Sequence, residues 1–257
     1  MELMEFLKIC AIVCPLVFLG SFVDSVAGGG GIITLPAYML AGLPVHTASG
    51  TNKLVAVFGS VTASYGYFKS GNVMIKIALL SAFGSLFGGA LGVRLALFIP
   101  EATLEIIMMI VLPVVALFLS LNKSFGMDHK PRQLQPAMEG FTAFGIGLVI
   151  GCYDGMIGPG TGTFLIIAFS GILGLDLLVS GGCAKVSNMA SNIASAIVWS
   201  FNGKAMWSLL LPASLCSIAG SYFGTKFAIK GGSKRIKMVM YVVLALLFAK
   251  MIYDYVF

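Results

Sequence analysis

Two acids and two lysines stand where an apolar chain can least easily hold them. Asp24 lies in VDSVAGGGGIITLP and Asp154 in YDGMIGPGTGTFLI, while Lys53 (SGTNKLVAV) and Lys185 (GCAKVSNMASN) fall inside apolar segments of their own. A charge at bilayer depth costs at least about 2.5 kcal/mol, so ionisable residues kept there mark a functional site by default. Each acid is followed by glycines: Gly28, Gly29, Gly30 and Gly31 after Asp24, and Gly158, Gly160 and Gly162 with Pro159 and Thr161 after Asp154. Each glycine costs a helix about 1 kcal/mol relative to alanine, so both stretches read as helix breaks. Glycines also let consecutive backbone N–H groups turn inward as a nest, and a half-helix that follows adds its own unpaired N–H groups and the positive end of its dipole. Such a break attracts an anion, and two facing breaks make an anion cage near the bilayer midplane.

Tight turning or close helix approach is the competing role for the glycines. Three features favour the ligand role: the break recurs, Pro36, Pro159, Thr161 and Thr163 flank it, and non-helical backbone at membrane depth survives only in protein or along a cavity. Polar residues then follow Lys185 at helical spacing, as Asn188, Asn192 and Ser195; Lys53 is followed by Ser60 and Ser64, with Asn52 beside it. The expected substrate-binding set is therefore Gly28, Gly29, Gly30, Gly31, Asn52, Lys53, Ser60, Gly158, Gly160, Thr161, Gly162, Lys185, Asn188 and Asn192, with Asp24 and Asp154 bracing the breaks or carrying coupling protons. Other roles compete for the charges. Lys53 is near enough to a helix start to snorkel, and ion pairs could close within each half, Lys53 with Asp24 and Lys185 with Asp154. Closed pairs would leave the helix ends alone to hold an anion; protonated aspartates would free lysine charge and couple the site to a proton gradient.

The elements that must position these residues are set by composition. Of 257 residues, 58% are hydrophobic and 10% charged, which excludes a soluble domain and predicts a polytopic, all-α membrane protein. The opening MELMEFLK is acidic and no small-residue cleavage site follows, so the first segment is expected to stay as a membrane helix. The net charge of +6 sits in short loops, where it carries topology rather than marking a nucleic-acid partner. Five cysteines without a CxxC pair read as small buried thiols, and no metal or cofactor is expected.

Long apolar segments run from about 6 to 27, 47 to 69, 73 to 98, 101 to 120, 137 to 157, 180 to 201, 204 to 229 and 234 to 257, which predicts eight long transmembrane helices. Two shorter pieces, 32 to 43 and 162 to 173, follow the glycine breaks and read as half-helices. The polar stretch 122–136 divides the chain into a first repeat, 1–121, and a second, 137–257. A shift of 130 places Asp24 on Asp154 and Gly28 on Gly158; a shift of 132 places Lys53 on Lys185, Gly71 on Gly203, Gly88 on Gly220, Gly92 on Gly224 and Arg94 on Lys226. If the short pieces only dip into the bilayer, eight crossings give parallel repeats; if each crosses, ten crossings give inverted ones, and loop charge barely separates the two. The Gly84, Gly88, Gly92 ladder, echoed by Cys216, Gly220 and Gly224, reads as close helix packing. Arg94 and Lys226 read as snorkelling residues, and His46 as part of a short loop.

The strings DSVAGGGG and TNKL in the first half, and YDGMIGPGTGTF and AKVSNMASN in the second, resemble the sulfite exporter TauE/SafE family, also called the toluene sulfonate uptake permease superfamily, and are most similar to its YfcA-type branch. The resemblance implies a multi-pass transporter of the bacterial inner (plasma) membrane with two homologous halves. Its implied cargo is a small anion such as sulfite, a sulfonate, sulfoacetate or a related organic anion. The halves differ: Pro159 and Thr161 replace glycines, and Ala184 aligns with Asn52, so the half-sites are not equivalent. The expected function is secondary transport by alternating access, with proton coupling as an option; the chain contains no GxxxxGK[ST] motif for ATP. Its partners are the lipid bilayer and the anion, and a homo-oligomer is compatible with the pattern. The alternatives are an anion channel and an intramembrane aspartyl hydrolase with the two aspartates as a dyad; against the hydrolase, no GxGD motif occurs and each acid has a candidate lysine partner.

Overall fold

The computed structural model describes residues 3–100, 102, 103, 106 and 135–256; for 136, 240, 241 and 243–256 it describes the backbone alone. Nearly all of the expected span over 101–120 and of the 122–136 linker lies outside the described residues. Among those described, every regular element is helical. α1 is Leu3–Ala27, α2 Gly31–Leu40, α3 Val45–Lys69, α4 Ile75–Phe98, α5 Pro136–Met156, α6 Thr161–Leu173, α7 Leu177–Phe201 and α8 Leu210–Val256.

Local chemistry explains the ends. Pro44 precedes α3, and Pro136 opens α5 at a position where its missing N–H costs nothing. Asp176 caps α7 by accepting the N–H groups of Leu178 and Val179 at 2.8 and 3.0 Å. α8 is broken into two helices at Gly232, where φ is 58° and ψ is −158°. With 10 and 13 residues, α2 and α6 reach only about 15 and 20 Å, short of a bilayer core of about 30 Å. α1 and α4 are long and apolar enough to span a membrane on length and hydropathy alone. α3 and α7 are as long but bury a polar stripe, which lowers their hydropathy.

Side-chain neighbours give the helix directions. α1 and α8 run the same way, with Phe18 beside Phe223, Phe22 beside Phe227 and Ser21 bonded to Ser217 at 2.9 Å. α3 follows them, since Gly59 meets Ser217 and Ser221 while Gly66 meets Thr225. α4 and α5 also share a direction: Gly84 faces Phe144 and Leu148, Gly88 faces Leu148 and Cys152, and Gly92 faces Cys152 and Met156. α7 runs with α4, as Ser187 bonds Ser81 and Ser195 bonds the Gly89 carbonyl. α3 and α7 are antiparallel, because Gly50 meets Trp199 whereas Tyr67 meets Gly181. Thus α1, α3 and the first part of α8 point one way, and α4, α5 and α7 point the other. α2 and α6 return the chain between helices of like direction.

Two apolar clusters flank the half-helices. Leu35 and Tyr38 of α2 pack with Trp199 of α7; Leu165, Ile166 and Phe169 of α6 pack with Tyr67 of α3. Large apolar side chains such as Phe83, Phe87, Phe141, Phe201 and Leu211 face outward, as a lipid-facing surface requires. Arg94 and Lys226 are exposed, in keeping with the snorkelling reading. His46 corrects its expectation. It is not in a loop but in the first turn of α3, buried, with its ring 5.5 Å from that of Trp199.

The glycine ladder of α4 makes a direct prediction. A Cβ on Gly88 would press into the Leu148 carbonyl and the Cys152 amide, so Gly88→Ala should cost about 1–3 kcal/mol, as overpacking does. Gly145→Ala, inside α5 with nothing within 4 Å of the added carbon, should escape that cost and raise the unfolding free energy in mixed micelles by up to about 1 kcal/mol.

Candidate functional site

The two glycine breaks meet backbone to backbone. α1 ends as Gly28 takes φ = 80°, and Gly28 lies so close to Gly162 that neither has room for a side chain. Thr163 ties them: its N–H donates to the Gly28 carbonyl at 3.3 Å and its Oγ1 to the Ala27 carbonyl at 2.7 Å. The second break turns through Gly158 and Gly160, with φ of 91° and 86°. Thr161 Oγ1 donates to the Gly158 carbonyl and the Tyr153 hydroxyl to the Pro159 carbonyl, both at 2.6 Å. Among the described residues, no acceptor takes the backbone N–H groups of Gly29, Gly30, Gly31, Gly160 or Gly162. These are the donors that the nest argument calls for.

The lysines reach across the molecule. Lys53 Nζ lies 2.6 Å from Asp154 Oδ1 and donates to Asn192 Oδ1 at 3.3 Å, while Asp154 Oδ2 accepts from Ser191 Oγ at 2.7 Å. Lys185 Nζ lies 2.7 Å from Asp24 Oδ2. This overturns the expected pairing of Lys53 with Asp24 and of Lys185 with Asp154. Because α3 and α7 are antiparallel, each lysine is carried to the acid that begins the other break. Snorkelling is excluded for Lys53 as well, since its side chain is only 6% exposed and already paired. Each aspartate has its own ammonium partner, which is not the proton-sharing arrangement of a catalytic dyad.

A polar cavity of about 50 Å³ lies where these groups converge. Of the residues expected to bind substrate, Gly28, Gly30, Gly31, Asn52, Lys53, Ser60, Gly158, Thr161, Gly162, Asn188 and Asn192 line it, and so do Asp24 and Asp154. Gly29, Gly160 and Lys185 are not on its wall. The Lys185 ammonium is spent on Asp24. Ser21, Thr34, Gly59, Ser217 and Ser221 line the cavity and were missed. The i, i+4 spacing of Ser217 and Ser221 was the available signal, but their role depends on α8 lying against α1 and α3.

A chain whose described elements are all helical, with an apolar outer surface, broken helices and a charge-balanced polar cavity, belongs to the class of membrane transport proteins. The family model for the sulfite exporter TauE/SafE matches residues 13–251, and the chain belongs to that family. It is 35% identical to the "Probable membrane transporter protein ORF9" of Sinorhizobium, over 92% of this chain and 90% of that one. It is 30% identical to a "Probable membrane transporter protein" of Haemophilus influenzae, over 92% of each. It is also 30% identical to the "Probable membrane transporter protein YfcA" of Escherichia coli, over 92% of this chain and 87% of that one. No solved structure matches the chain. The protein is a membrane transporter of the TauE/SafE family.

Proposed function

We propose that this transporter is a secondary carrier that moves a small oxyanion, sulfite or a short sulfonate, across the bacterial inner membrane by alternating access. One observation carries the reading: two glycine breaks with unclaimed N–H donors meet at a cavity lined by Lys53, and both Lys53 and the Lys185 behind Asp24 are already neutralised. The anion is held by backbone amides and neutral side chains, Asn52, Ser60, Thr161, Asn188 and Asn192, and by the positive ends of α2 and α6. A space of about 50 Å³ holds a few waters' worth of volume, which suits a compact oxyanion and is too small for an aromatic sulfonate. The family's description as a sulfite exporter supports sulfur oxyanions as the cargo class.

The moving parts are two homologous halves of inverted topology. α1, α3 and the first part of α8 correspond by sequence to α5, α7 and α4, and corresponding helices point in opposite directions. Rocking such halves about a shared central site exposes it to one side and then the other. In reconstituted liposomes, labelled sulfite is expected to accumulate above its equilibrium level when a proton gradient is imposed. Uptake that only equilibrates would point to a channel instead.

A further inference from the structure

The two ion pairs look equivalent in sequence but are not equivalent in space. Asp154 is sealed: its side chain is 3% exposed, one oxygen is paired with Lys53, the other accepts from Ser191, and Lys53 is held further by Asn192. Asp24 is open. Its side chain is 26% exposed, it lines the cavity, and among the described residues its carboxylate has one partner, Lys185 at 2.7 Å. Lys185 in turn is wholly buried and off the cavity wall.

Building on the oxyanion reading, we propose that Asp24, and not Asp154, is the proton-coupling acid of this carrier, taking up one proton as the anion enters and leaving the Lys185 charge behind it to balance the anion. A cavity whose lysines are both neutralised gains a net negative charge when an anion enters, a costly state in a medium of low dielectric. Protonating a carboxylate restores balance. The carboxylate loses its charge, its ammonium keeps its own, and the anion replaces the carboxylate as counter-ion, so one proton and one monoanion leave the net charge unchanged. Both acids line the cavity, but Asp154 is sealed by Lys53 and Ser191 at 3% exposure, whereas Asp24 is 26% exposed with a single partner among the described residues. Ser21, one turn before it on α1, bonds Ser217, and both line the cavity with Ser221, giving hydroxyls that donate and accept beside the acid. The other seam lacks this. Ser81 is bonded to Ser187, Ser85 to the Gly147 carbonyl and Ser195 to the Gly89 carbonyl, and none of them lines the cavity.

The titratable groups facing Asp24 are few. α7 presents Lys185, and α3 presents Tyr67, whose hydroxyl donates to the Ser25 carbonyl, and Lys53 across the cavity. α5 presents Asp154 across the same cavity, while α2 and α8 present the neutral Thr34, Ser217 and Ser221.

The test uses methanesulfonate, whose charge is constant around neutral pH, added to purified protein in weakly buffered detergent with a pH indicator. Wild type is expected to take up one proton per anion bound, with affinity falling about tenfold per unit rise in pH. Asp24→Asn should bind without uptake and without pH dependence, Asp24→Glu should regain both, and the double variant Lys53→Met/Asp154→Asn, which frees no ammonium, should still take up one proton. Binding by wild type without proton uptake overturns this inference alone, whether or not any variant folds. Uptake that persists in Asp24→Asn overturns it too. If neither sulfite nor methanesulfonate binds at all, the oxyanion reading fails and this inference with it.

Discussion

Lys53→Met is expected to lower the unfolding free energy by about 3–5 kcal/mol, the usual cost of leaving one member of a buried ion pair alone. Asp154→Leu in the same chain should restore most of that loss; Asp24→Leu should not. The asymmetry follows from the cross-molecule pairing, in which Lys53 lies 2.6 Å from Asp154 with both side chains nearly sealed. A lone Asp154 carboxylate keeps only Ser191 as a donor, too little to replace an ammonium in a dry site. Removing both charges removes the desolvation cost together with the attraction, and such double replacements are often neutral. Reversible unfolding in mixed micelles, run as a double-mutant cycle, reads the coupling directly. A rescue of Lys53→Met by Asp24→Leu rather than by Asp154→Leu would mean that the pairs close within each half.

The second large effect is expected at the contact between the breaks. Gly28→Ala places a Cβ into the backbone of Gly162 and Thr163 at a residue with φ = 80°, so overpacking of about 1–3 kcal/mol adds to a left-handed backbone term of about 1–2 kcal/mol. Gly42→Ala is the matched control. Its φ is 88° but nothing lies within 4 Å of the added carbon, so it should show the backbone term alone. The difference between the two variants measures the steric value of the contact. If Gly28→Ala costs no more than Gly42→Ala, the breaks do not touch in the folded protein.

Much of this architecture is legible in the chain because lipid makes its demands locally. Apolar length marks α1, α3, α4, α5 and α7 to within a few residues, and glycine runs beside acids locate both breaks, since each is costly at membrane depth and needs a reason. The proposed duplication aligns the acids and lysines in corresponding positions of the sequence. What it does not contain is which lysine meets which acid. That depends on the relative direction of the two halves, and loop charge separates the parallel and inverted arrangements only weakly. The serines of the α1–α8 seam were illegible for a related reason: Ser217 and Ser221 look like packing residues until α1 is laid beside them. His46 reads as part of a short loop because the apolar segment starts at about 47, whereas Pro44 caps α3 and brings His46 into its first turn.

The central claim, that a small oxyanion binds where the two breaks meet, is tested most directly by the thermal unfolding of the purified protein with a graded set of anions. A ligand that binds only the folded state stabilises it by about 2.7 kcal/mol at a hundred times its dissociation constant. Sulfite and methanesulfonate are expected to raise the transition temperature in a saturable way, and a naphthalene sulfonate, too large for a cavity of about 50 Å³, to leave it unchanged. If sulfite, short sulfonates and small carboxylates all leave it where it was, the glycine breaks are not an anion site and the account is wrong.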